Sequence, residues 1–199
     1  MKAPQNNSGN DFEKHPSGWA LGVCTRIIDV GTHWNDQKQK DQRKIMVVFE
    51  SEKLMDEGEF KGQPFLLFNN FNYSMYQNSM LCQFIEDWLG QRFSEQSEAD
   101  NFDLSTLIGK QAFMNIVHND KYVNVQTIGP VPDGMTAPTP KGDLILIDQD
   151  DLEPAMVEKL TDKMKERVMG SKERTGPKPD TTVTEQHDER NPPASNYDQ

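Results

Sequence analysis

The chain has 199 residues, 21 of them basic and 32 acidic, and a formal net charge of −11. That length accommodates one ordinary domain with appendages, and no run approaches the ~18 apolar residues of a membrane span. A strongly acidic chain is not a generic polyanion binder, so a nucleic-acid reading has to rest on local arrangement.

Residues 1–18 carry balanced charge and no apolar stretch of the kind a secretory signal needs, and read as a flexible arm. Residues 19–131 hold all three tryptophans and most of the phenylalanines, and read as the folded domain. Residues 132–169 begin with a Pro/Gly-rich strap and continue into a short strand and a helix. Residues 170–199 are polar and acidic, too poor in apolar side chains to offset their ordering entropy, and read as a disordered tail.

Within the domain, residues 19–30 are rich in β-branched side chains and predict a first strand. Ile45–Met46–Val47–Val48–Phe49 predicts a second, and Phe65–Leu66–Leu67–Phe68 a third, with Phe68 in the core. The period then changes. Met80, Leu81, Phe84, Ile85, Trp88 and Leu89 recur with helical spacing, and Gly90 follows as a C-cap. A short helical turn at 104–108 has Asp103 as its N-cap and Gly109 as its stop. Residues 111–117 and 122–128 predict two further strands around an Asn119–Asp120 turn. Leu144–Ile147 reads as an added strand. Residues 150–169 read as one helix, with Pro154 in its first turn and Met156, Val157, Leu160, Met164 and Val168 on one side.

The order strand, strand, strand, helix, strand, strand predicts a mainly β chain: a five-stranded OB-fold, a Greek-key barrel with its helix between strands 3 and 4. Other five-stranded α+β layouts fit the same order.

Catalytic and cofactor chemistry finds little support. The four histidines and two cysteines have no metal-ligand spacing, the aspartates at 148–151 lack the remaining calcium-loop positions, and no phosphate loop or nucleophile elbow is present. The expectation is no enzyme, no cofactor, no metal and no small-molecule substrate. Cys24 and Cys82 cannot build a disulfide framework, which fits a reducing, cytoplasmic setting.

A binding signal is clearer. Single-strand binding needs cations for phosphates and flat rings for bases. The segment from His33 to Lys44 holds Lys38, Lys40, Arg43 and Lys44 beside Trp34, in the loop that an OB-fold uses to close over an oligonucleotide. The second such loop holds Lys121 and Tyr122, and Lys110 stands after Gly109. Either loop, taken alone, also reads as a solvated hairpin tip. Phe71, Tyr73 and Tyr76 follow the third strand. They serve equally as stacking platforms or as pins between helix and sheet.

These segments carry a resemblance. Phe71-Asn-Tyr73-Ser-Met-Tyr76, Phe84-Ile85-Glu86-x-Trp88-x-Gly90, Asp103-Leu104 through Gly109-Lys110, and Tyr122-Val123-Asn124-Val125 resemble a family of small phage-encoded proteins. Its better-understood members are similar to OB-fold single-stranded DNA-binding proteins of phage replication and recombination. The resemblance covers about residues 17–132. It implies a non-enzymatic protein that coats single-stranded DNA without sequence specificity in the host cytoplasm. Lys38, Lys40, Arg43, Lys44, Lys110 and Lys121 would meet phosphates, and Trp34, Tyr73 and Tyr122 would stack on bases. The C-terminal residues lack the acidic tip, closed by an apolar residue, that better-known bacterial single-strand binders use to recruit partners. The alternative is an interaction module without DNA affinity, gripping a replication or recombination protein through the same barrel, its C-terminal helix or its tail.

Overall fold

The computed structural model describes residues 13–119, 122–136 and 138–176. It is mainly β, a six-stranded sheet with a few short helices. Strand β1 (Gly18–Asn35) pairs antiparallel with β2 (Lys40–Leu54), and β2 with β3 (Pro64–Asn72). On its other edge, the first part of β1 pairs with β4 (Gln111–His118), which pairs with β5 (Val123–Gly129). Further along that edge β6 (Ile145–Ile147) joins β1 in parallel. The path is β3-β2-β1-β4-β5, and no ladder joins its two ends among the described residues. The sheet is therefore unclosed, although β3 and β5 approach each other.

Strand β1 must serve two cores, and two β-bulges let it. Cys24 faces Phe49 and Arg26 faces Val48; Asp29 faces Ile45 and Gly31 faces Lys44. Thr25 and Val30 are the extra residues. Each resets the side-chain alternation of β1 against an uninterrupted β2. As a result Ile27, Ile45, Val47 and Phe49 face one side of the ribbon, and Ile28, Val30, Met46 and Val48 the other. Both sets are buried.

The first core closes under α1 (Met80–Leu89). Ser79 caps this helix by accepting from the Cys82 N–H, and Gly90 ends it in the left-handed region at φ 68°. Trp88 is fully buried, edge-on to Phe49 at 4.9 Å, and its indole N–H donates to the Gln111 carbonyl at 2.8 Å. The ring thus ties helix, ribbon and β4 together. A polar five-residue helix, α2 (Gln96–Asp100), was not legible in the sequence. The expected turn after Asp103 is a 3-10 turn at Leu104–Leu107. Cys24 and Cys82 are free and buried, and burial pushes the Cys24 thiol up to about 12.

The second core covers the opposite face of the ribbon. The strap is fixed by Glu50, whose buried carboxylate accepts from the N–H groups of Lys141 and Gly142. The expected single helix over 150–169 is instead two: α3 (Pro154–Val157) and α4 (Asp162–Met169). The chain turns between them so that Leu160, like Val157 and Val168, reaches the core over Met46 and Val48. Pro154 stands in the first turn as expected.

Two boundaries differ from expectation. The arm assigned to 1–18 is anchored from residue 13: Glu13 accepts from the Asp56 and Glu57 N–H groups, and His15 is buried against Ser51 and Phe65. The tail assigned from residue 170 begins with α5 (Lys172–Thr175), docked on β1. Gly31 lies so close to Ser171 that a Cβ there would stand 2.4 Å from the serine Cβ, and its φ of +82° also calls for glycine. Residues 1–12 and 177–199, where the rest of the arm and tail were expected, lie outside the described residues. Among the described residues no helix is long and apolar enough to cross a membrane.

Replacing Trp88 with alanine should cost about 3–5 kcal/mol, read as a lower urea midpoint at unchanged slope. A second prediction concerns α5. Partial burial raises the Glu173 carboxyl, but the Thr32 hydroxyl and N–H both donate to it, and the balance brings it down to about 2 from 4.5. A depressed carboxyl stabilises fully above its unfolded value and loses that contribution as pH falls toward 2. Protection of the Thr32 amide from hydrogen exchange should therefore drop across that window, and Glu173→Gln should flatten the profile.

Candidate nucleic-acid interface

The β1–β2 turn is a braced projection. Asn35 and Lys40 close it, Asn35 Oδ1 accepts from the Lys38 N–H at 3.0 Å, and Gln39 donates to the Asp36 carbonyl at 2.6 Å. Gln39 takes φ 49°, a left-handed position at the end of the turn. Lys38 and Lys40 are exposed at this tip and make no ion pair among the described residues. Trp34 is half-exposed just below.

Pairing register decides which side chains share a face. Trp34 is opposite Asp41, and Thr32 opposite Arg43, on the first-core side. Lys40 and Lys44 are on the second-core side, with Asn35, Gln42 and Gly31. The ring and the two lysines thus flank opposite sides of one ribbon.

Arg43, one of the six residues expected at phosphates, is already engaged. Its guanidinium donates to buried Asp29 and to Asp150 at 2.9 Å, and lies 5.0 Å from the centre of the Tyr73 ring. The hydrogen bonds to Asp29 hold it firmly protonated. Tyr73 is correspondingly covered on one face. The group reads as a structural tie between the ribbon and the segment after β6. Sequence spacing could not reveal it, because Asp150 is 107 positions away.

The remaining residues are dispersed. Lys44 is half-buried, and its ammonium donates to Asn72 Oδ1 at 2.5 Å. Lys110 is exposed beside the first bulge, where its carbonyl accepts from the Cys24 N–H. Tyr122 is exposed in the β4–β5 turn; Lys121 lies outside the described residues. That turn follows His118 near the start of β1, whereas the β1–β2 turn is at its end. Phe71 is buried against Phe84 at 4.8 Å, so it belongs to the core, while Tyr76 is exposed. Phe68, expected inside, is half-exposed on the outer side of β3. Met156, Val157, Leu160 and Met164, the apolar side of the C-terminal segment through which an interaction module would grip its partner, pack into the second core.

Electrostatically the carboxylates near the turn are largely occupied. Asp29 and Asp150 face Arg43, Asp41 pairs with Lys172 at 2.6 Å, and Glu173 accepts from Thr32. Among the described residues, Lys38 and Lys40 project without an ion pair, as does the Asp36 carboxylate of the same turn, while Lys44, also without an ion pair, is half-buried on Asn72. No group of three metal-ligating side chains occurs among the described residues. Searches against protein-family models, curated proteins and solved structures return no match.

If Arg43 is a structural tie, Arg43→Met should destabilise the fold by about 3 kcal/mol, because Asp29 is left buried and unpaired. Adding Asp29→Asn should recover most of that loss. Lys38→Met should change stability by less than about 0.5 kcal/mol. Denaturant midpoints of the variants check all three.

Proposed function

We propose that this chain is a non-enzymatic protein that coats single-stranded DNA without sequence specificity, on an OB-fold-like barrel, in phage replication or recombination in the host cytoplasm. The observation that carries this reading is the β1–β2 projection. It offers lysines without ion pairs and an exposed tryptophan on the two sides of one projecting ribbon end, while Asp29 and Asp41 are held by Arg43 and Lys172. Cations for phosphates and a ring for bases are what a sequence-tolerant single-strand binder requires.

The barrel reading draws support from order and position. Helix α1 lies between β3 and β4, and the path β3-β2-β1-β4-β5 lacks only a β3–β5 ladder to close. Lys38, Lys40, Lys44, Lys110 and Lys121 are the proposed phosphate contacts, and Trp34 and Tyr122 the stacking rings. Arg43 and Tyr73 leave the set because they face each other.

A second reading, a protein-interaction module, has one feature in its favour. Trp19 stacks on Phe113 at 4.6 Å and remains half-exposed, a flat apolar surface on β1 and β4.

Anisotropy with labelled oligothymidine at several salt concentrations, beside a matched duplex, separates the two. With roughly five phosphates neutralised at about −0.7 each, log affinity should fall with log salt at a slope of roughly −3 to −4. Lys38→Glu with Lys40→Glu should flatten that slope, and Trp34→Ala should weaken binding with the slope intact. Absence of single-strand binding at low salt would overturn the proposal and favour the interaction module.

A further inference from the structure

Strand β3 is an edge strand with an unusual outer stripe. Phe68, Asn70 and Asn72 alternate along it, and all three are exposed. Across the ladder they face Val48, Met46 and Lys44. Val48 and Met46 share the second core with Val157, Leu160 and Val168, so α3 and α4 cover the same face of the sheet that the stripe belongs to. Phe68 is half-exposed and makes no ring contact among the described residues.

At the Asn72 end stands Lys44, with Lys38 and Arg167 near enough to act on its charge. The Lys44 ammonium reaches Asn72, Lys38 comes from the turn, and Arg167 is exposed on α4, next to buried Val168. Lys44 is held below the usual lysine range by burial and by the nearness of Lys38 and Arg167. None of the three makes an ion pair among the described residues. Like charges gathered without counter-ions raise the free energy of the unliganded protein and favour an anion between them.

We infer that the outer face of β3 and the C-terminal helix α4 together form a track for single-stranded DNA, with Phe68 stacking on a base, Asn70 and Asn72 meeting base edges, and Lys38, Lys44 and Arg167 gripping the adjoining phosphates. The inference rests on the single-strand reading and adds a function for the C-terminal elements. They are a wall of the binding groove, which brings Arg167 to the DNA.

The test is oligothymidine binding by the full chain and by Phe68→Ala, Arg167→Ala and Trp34→Ala, each across a salt series. Both Phe68 and Arg167 are exposed, so their variants should keep the parent's urea midpoint. Phe68→Ala should weaken binding roughly tenfold at an unchanged slope. Arg167→Ala should weaken it and lower the slope by about 0.7. If the parent binds and Trp34→Ala weakens it, while the Phe68 and Arg167 variants match the parent, DNA is held at the turn alone and the track is wrong. If the parent binds no single strand, the functional reading fails and the track falls with it.

Discussion

The β1–β2 ribbon is buried on both faces, and the remainder of the molecule is arranged to satisfy that. A two-stranded ribbon alone is marginal in water; here each face carries its own apolar row. Alternation would let one strand serve two cores indefinitely if the sheet were flat. It is not, and the bulges at Thr25 and Val30 re-aim β1 as it passes from pairing with β4 to the stretch beside β6. One core then takes α1 and β4, and the other takes the strap, β6, α3 and α4. The buried polar groups mark the seams. Glu50 holds the strap, and Asp29 gathers Arg43 and the Gln149 N–H.

This arrangement also bears on an acidic protein that would bind an anionic polymer. Net charge is a sum, and a polymer meets a surface. Several carboxylates near the ribbon's end are committed to Arg43, Lys172 or Thr32, and so add little negative potential to the turn. The lysines of the turn have no such partners. Long-range repulsion from the rest of the molecule would still oppose encounter, which fits a binder whose affinity depends on close contacts and stacking.

The sequence carried the elements whose signals are local. The capped helix ending at Gly90, the Asp103 turn and the β4–β5 hairpin lie where periodicity and caps put them, whereas the ribbon strands run on to Asn35 and start again at Lys40, so the expected loop over 33–44 is strand except for a turn at 36–39. What was not legible depended on distant partners. Phe68 sits in the run Phe65–Leu66–Leu67–Phe68, which reads as wholly buried, but it stands where the second core stops short of the sheet edge. Arg43 looks like its lysine neighbours until Asp29 and Asp150 are brought to it. The 150–169 segment keeps its apolar spacing through Leu160, yet the chain breaks its helix there to follow the curve of the sheet. Periodicity records which residues go inward; it does not record that the backbone must turn to take them there.

The docking of α5 has a consequence for how the chain is made. Thr32 and Glu173 are 141 positions apart, and β6 cannot add to β1 until the chain has been synthesised through Ile147. The first core draws on residues 20–128 and can close on the ribosome. Until the last segment emerges, Ile28, Val30, Met46 and Val48 form a bare apolar face on the nascent protein. Such a face is a site for chaperone capture or for association between unfinished chains. A stalled or truncated product ending before residue 145 would be folded on one side and adhesive on the other.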